Sequence, residues 1–168
     1  FAMERLGQRR GWIVQPRIRP HPALQAIMSS HGLGTFRVVS VLDNDTPRIL
    51  YAVLRIPVGM NRADNFVHGS SGNLIAAVDL ATGELHRARV SKNPSWPVMI
   101  NVDRHPETGN TITGMSIPEW DALKGLVIRA HSSLPDLVTL GWDIALTDMG
   151  PLVVETNPTY DIDIVQTA

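Results

Sequence analysis

Three times along this 168-residue chain, two strand-like runs stand so close together that only an antiparallel return can join them. TFRVVSVL and RILYAVLRIPV, rich in β-branched residues, flank the turn signal DNDTP and predict a hairpin over 35–58. LIAAVDL and ELHRARV are joined by Ala81-Thr82-Gly83. GWDIALTD and PLVVETN meet at Asp148-Met149-Gly150. A parallel pair needs a crossover of about a dozen residues, and none of these joints has room for one. Only one segment sustains helical spacing. Pro118-Glu119-Trp120 opens a helix to about His131, with Trp120, Leu123, Val127 and Ala130 on one face. This order predicts an α+β fold, an antiparallel sheet with few helices, and not a doubly wound parallel sheet.

The remaining segments carry less pattern. FAMERLGQRRG reads as the tail of a helix ending at Gly11, and WIVQPRI as a short buried strand stopped by Pro16. ALQAIMSS has room for one or two helical turns. Residues 59–73 form a long polar loop of the kind that often carries function, and 91–118 read as extended loop. No linker or repeat divides the chain, so 1–168 reads as a single domain.

Composition excludes several functions. There is no cysteine, hence no disulfide scaffold, thiolate zinc site or cysteine nucleophile. Fifteen basic residues oppose sixteen acidic ones, which leaves no broad footprint for nucleic acid or an anionic membrane. No apolar run reaches the roughly 20 residues that span a bilayer, and the plain reading is a soluble cytoplasmic domain. Only Lys92 and Lys124 are lysines, so any cationic chemistry within the chain falls to arginine.

The most informative segment is GWDIALTDMGPLVVETNPTYD. Glu155 and Asn157 lie two apart on one strand and share a face. The tight turn brings Asp143 nearly opposite Glu155. Directly opposed carboxylates destabilise a sheet unless something neutralises them. A divalent cation does so, and two carboxylates plus an amide oxygen form a hard-oxygen set suited to Mg²⁺. The same pattern also fits a solvent-facing strand with ordinary polar residues.

The paired motifs GWDIA and VVETNP resemble the closing strands of the ATP-grasp family. LRIPVGMNRADNFVHGSSG resembles that family's segment in which a strand arginine precedes a loop bearing Arg, Asn and Gly, and WIVQPRI resembles its hinge strand, with Gln15 in place of the usual acidic residue. With TFRVVS and the span from HPETG to IP, the chain most resembles the sugar-transfer-associated ATP-grasp proteins from residue 12 to about 165. The resemblance implies binding of ATP with Mg²⁺, or Mn²⁺ in its place. It implies a ligase that joins a small-molecule carboxylate to an amine or thiol through an acyl-phosphate. Asp143, Glu155 and Asn157 would hold metal. Arg37 and Arg55 would neutralise phosphate or the acyl-phosphate. Ile13, Gln15, Arg17 and Ile18 would line the adenine site, with Arg62 and Asn65 also on the nucleotide.

The lysines and Gly-rich loop that cover ATP in the family lie upstream of the hinge strand and have no counterpart here. The chain thus reads as the C-terminal half of an ATP-grasp module, expected to bind nucleotide weakly and not to ligate alone. Two other functions fit the same residues. One is a non-catalytic nucleotide-binding or interaction domain. The other is a metal-dependent hydrolase using Asp143, Glu155 and a histidine.

Overall fold

The computed structural model describes residues 16–28, 32–93, 95 and 98–168. The expected helix tail over 1–11 and most of WIVQPRI lie outside them; Pro16–Arg19 carry no regular structure.

Seven strands form one antiparallel sheet: β1 (Thr35–Asp43), β2 (Thr46–Ile56), β3 (Leu74–Val78), β4 (Leu85–Ser91), β5 (Met99–Val102), β6 (Thr139–Thr147) and β7 (Gly150–Asn157). Their order across the sheet is β5-β4-β3-β2-β1-β6-β7. The helices are α1 (Pro22–Gln25), α2 (Trp120–Ser132) and α3 (Asp163–Thr167). This is the α+β architecture that the hairpin pattern predicts. One strand escapes that pattern. Met99–Val102 pairs with β4 where an extended loop is expected, because four residues among prolines and asparagines give no readable alternation.

The turns fold for local reasons. Asn44 and Asp45 both take positive φ, 48° and 63°, which two-residue hairpins need and which Asn and Asp tolerate best after glycine. In the β3–β4 turn, Asp79 Oδ1 accepts from the backbone N–H of Ala81 and of Thr82, each at 2.8 Å. Gly83 completes it at φ +74°, with the Trp120 ring where a Cβ would stand, 2.6 Å away.

The sheet buries one face under α2, which presents Trp120, Leu123, Val127 and His131. They meet Phe36, Val38, Leu54, Trp142 and Ile144 in the main core, which also takes Leu24 from α1. A polar chain runs through it. Trp142 Nε1 donates to Ser40 Oγ at 2.7 Å, and Ser40 Oγ contacts His131 Nδ1 at 2.7 Å. His131 Nε2 lies 2.9 Å from the Leu137 carbonyl. A carbonyl only accepts, so Nε2 carries a proton, and each polar atom in the chain has a partner. The opposite face carries a smaller apolar cluster of Val53, Ile75, Phe66 and Ile164. Beside that cluster lies the candidate site. No helix among the described residues is long and apolar enough to cross a membrane.

Candidate functional site

Sheet register builds the site. Arg37 on β1 pairs with Val53 on one side and Asp143 on the other, and Asp143 pairs with Glu155. Directly paired residues share a face, so Arg37, Asp143 and Glu155 form one row across three strands. Arg55, two residues beyond Val53 on β2, projects from the same face beside Thr35. Asn157 shares that face by strand parity.

The row is held by charge. Arg37 Nε donates to Asp143 Oδ1 at 2.6 Å and its Nη2 to Oδ2 at 3.3 Å. Arg55 Nη2 lies 3.0 Å from the same Oδ2. One carboxylate therefore receives two guanidinium groups. All three residues are largely removed from water, where such pairs are strong and unpaired charges costly.

A further residue, passed over in the sequence, completes the network. Asp64 comes from the 59–73 loop and is 7% exposed. Its Oδ2 accepts from Thr35 N at 2.7 Å and from Thr35 Oγ1 at 2.6 Å, and it lies 3.3 Å from Arg55 Nε. That last contact is an ion pair without hydrogen-bond alignment, which leaves Nε buried and unbonded among the described residues. Arg55 Nη2 also donates to Thr35 Oγ1. Burial pushes the Asp64 carboxyl above its ordinary value, while Arg55 and the Thr35 bonds pull it partly back.

The loop is fixed by Asn73, which is 1% exposed. Its Nδ2 donates to the carbonyls of Ala63 and Asn65 at 3.0 and 2.9 Å, while its Oδ1 accepts from Val58 N and Asn61 Nδ2 at 3.1 and 2.8 Å. Clamped on both sides, Asp64 and Phe66 turn inward and Asn65 between them turns to solvent. Asn65 thus stands beside the network without joining it.

Glu155 is exposed and Asn157 half-buried. Among the described residues neither side chain has a hydrogen-bond or ion-pair partner, so both offer free oxygens. Asp143 has roughly four lone-pair positions, of which Arg37 takes two by hydrogen bond while Arg55 Nη2 stands 3.0 Å from Oδ2 as an ion pair. Two carboxylates and an amide are a hard-oxygen donor set, of the chemical kind that suits Mg²⁺ or Mn²⁺.

The nucleotide-contact candidates divide. Ile13 and Gln15 lie outside the described residues. Arg17, Ile18 and Arg62 line one cleft of about 1010 Å³ together with Arg19, Met28 and Leu33. Its Leu33 wall leads within two residues to Thr35. His68 meets two carboxylates, Asp161 at 3.8 Å and Asp163, tying the loop to the start of α3, and His21 lies 4.0 Å from Glu119. The ligand-type atoms of His68, Asp161 and Asp163 lie within 4.8 Å of one another. His105 is buried; its Nδ1 accepts from Glu107 N and Thr108 N, a turn-forming role.

The seven-stranded antiparallel sheet with few helices is consistent with an ATP-grasp-type α+β domain. The sequence model of the sugar-transfer associated ATP-grasp family matches residues 4–168, and the chain belongs to that family. Membership supports an ATP-binding domain of ligase type. No curated protein and no solved structure matches the chain.

Proposed function

We propose that this domain binds ATP with Mg²⁺ on the open sheet face and serves the activation of a small-molecule carboxylate for ligation to an amine or thiol. The observation that carries the reading is the convergence of Arg37 and Arg55 on one face with Asp143, Glu155 and Asn157. Cations and hard-oxygen ligands side by side are what a triphosphate requires. Glu155, Asn157 and a remaining Asp143 position would hold the metal. When bound, it neutralises phosphate oxygens.

In the reaction a substrate carboxylate oxygen attacks the terminal phosphorus of ATP and ADP leaves. The amine or thiol then attacks the acyl carbon and phosphate leaves. Arg37 and Arg55 hold the phosphoryl or acyl-phosphate oxygens, for which a planar fork is suited. Thr35 and Asp64 hold Arg55 in place for that contact. Arg17, Ile18 and Arg62 in the adjoining cleft contact the rest of the nucleotide.

Calorimetry with Mg²⁺-ATP on the purified chain tests the reading. The expected result is binding that EDTA abolishes and that weakens about tenfold or more, roughly 1.4 kcal/mol, in Glu155→Gln. Equal affinity in wild type and Glu155→Gln, or binding indifferent to the chelator, would refute it.

A further inference from the structure

At the buried centre of the charged row one carboxylate, Asp143, contacts both guanidinium groups, while Asp64 stands on the far side of Arg55. We infer that Asp143 is a resident occupant of the anion site: its carboxylate fills the Arg37–Arg55 pair until a phosphate or carboxylate group of the ligand replaces it, as the metal draws Asp143 away. The inference rests on the proposed function, in which Asp143 contributes to the metal and the arginines to the anion.

Geometry makes the exchange possible. Asp143 presents its two oxygens to the arginines as an incoming carboxylate or phosphate would, one on Arg37 Nε and one between Arg37 Nη2 and Arg55 Nη2. Its ladder partner is Glu155, whose carboxylate has no partner among the described residues and lies exposed. A cation arriving at Glu155 thus meets Asp143 directly across the strand pair. Arg55 does not depend on Asp143 alone, because Asp64 stays 3.3 Å from its Nε and Thr35 Oγ1 still accepts from its Nη2. Arg37 has no second carboxylate among the described residues, so it is the arginine that the exchange exposes to the ligand.

One side chain cannot serve the arginines and the metal fully at once. Anion and metal must therefore favour one another through it, and by linkage the effect is reciprocal. Neither ligand alone meets an open site. Metal alone must take Asp143 from two arginines, and anion alone must displace a carboxylate already seated.

The test uses inorganic phosphate and Mn²⁺ as separate probes, by calorimetry on the whole chain. Without metal, Asp143→Asn should bind phosphate about tenfold tighter than wild type, because the anionic occupant is gone. Without phosphate, Arg37→Gln should bind Mn²⁺ severalfold tighter, because an Asp143 oxygen is released. Phosphate affinity in a folded Asp143→Asn that equals or falls below wild type overturns the inference. Should Asp143→Asn not fold, Arg37→Gln decides alone, and Mn²⁺ affinity no greater than wild type overturns it. Tighter phosphate in Asp143→Asn, with no Mn²⁺ bound by either wild type or Arg37→Gln, upholds the resident occupant and overturns the metal-dependent function instead.

Discussion

Replacing Asp64 by alanine should destabilise the fold by about 3 kcal/mol. The carboxylate takes both polar groups of Thr35, its N–H at 2.7 Å and its hydroxyl at 2.6 Å, in a buried setting. Each donor left without a partner costs about 1–3 kcal/mol. Arg55 loses one of its two carboxylates but keeps Asp143 at 3.0 Å. The loss therefore stays at the lower end of the roughly 3–5 kcal/mol expected when a buried pair is broken outright. Asp64→Asn keeps an acceptor oxygen for Thr35 and should cost less. Urea unfolding followed by tryptophan fluorescence measures both, and the four tryptophans supply the signal. The pH dependence checks the cause. Burial raises the Asp64 pKa in the folded chain above its unfolded value of 3.8, so the native state holds the proton more tightly. Lowering the pH through the raised value therefore favours the native state, and the gain levels off below 3.8. The stability of wild type minus that of Asp64→Ala should widen as pH falls through this window. A loss under about 1 kcal/mol at neutral pH, or a difference that narrows on acidification, would refute the argument.

Three other outcomes follow from the same reasoning. Ser40→Ala should cost about 2–5 kcal/mol in chemical unfolding, since it strands both Trp142 Nε1 and His131 Nδ1 in the core. Asn73→Ala removes four bonds from the loop clamp, and it should cost about 3 kcal/mol and raise amide exchange and proteolysis within 59–73 well above the rest of the chain. Gly141→Ala places a Cβ 2.8 Å from the Cβ and Cγ of Tyr160, whose hydroxyl contacts Thr139; a cost of about 1–3 kcal/mol should appear as a Tm lowered by roughly 2–4 °C for each kcal/mol.

Local chemistry was legible in the sequence, and convergence was less so. The hairpins could be read because Asn44-Asp45 and Gly83 name their turns, and turn length fixes strand parity. The facing of Asp143 and Glu155 needs more than the turn: pairing carried on from Ile144 and Val153 would set Asp143 opposite Val154, and a register shift between Asp143 and Ile144 brings Glu155 across instead. The helix over 120–132 announced itself through Trp120, Leu123 and Val127. Asp64 was another matter. In a loop without periodicity nothing separates an inward residue from its outward neighbour, and the reading fell on Asn65. What turns Asp64 inward is Asn73, ten residues from one of its acceptors and eight from the other. Ser40 and His131 lie 91 residues apart, and no local pattern links them. Strand β5 was lost because four residues are too few to show alternation.

The sheet order has a consequence for how the chain folds. From β1 to β5 each strand lies beside its neighbour in sequence, and β6 and β7 form a hairpin of their own. Among the seven strands the pairing of β1 with β6 joins the elements furthest apart in sequence, and Arg37 and Asp143 meet across it 106 residues apart. Both flanking pieces can form from local contacts, whereas this joint must first close a long loop. Arg37 then acts as a check on how the two pieces meet. If β6 slid by one residue, Trp142 or Ile144 would stand beside Arg37 and Asp143 would turn toward the apolar core. A misaligned joint would bury a bare carboxylate on one face and leave Arg37 without its carboxylate on the other, while Arg55 kept only Asp64. The charges that equip the face for chemistry therefore also select the one alignment in which the chain closes.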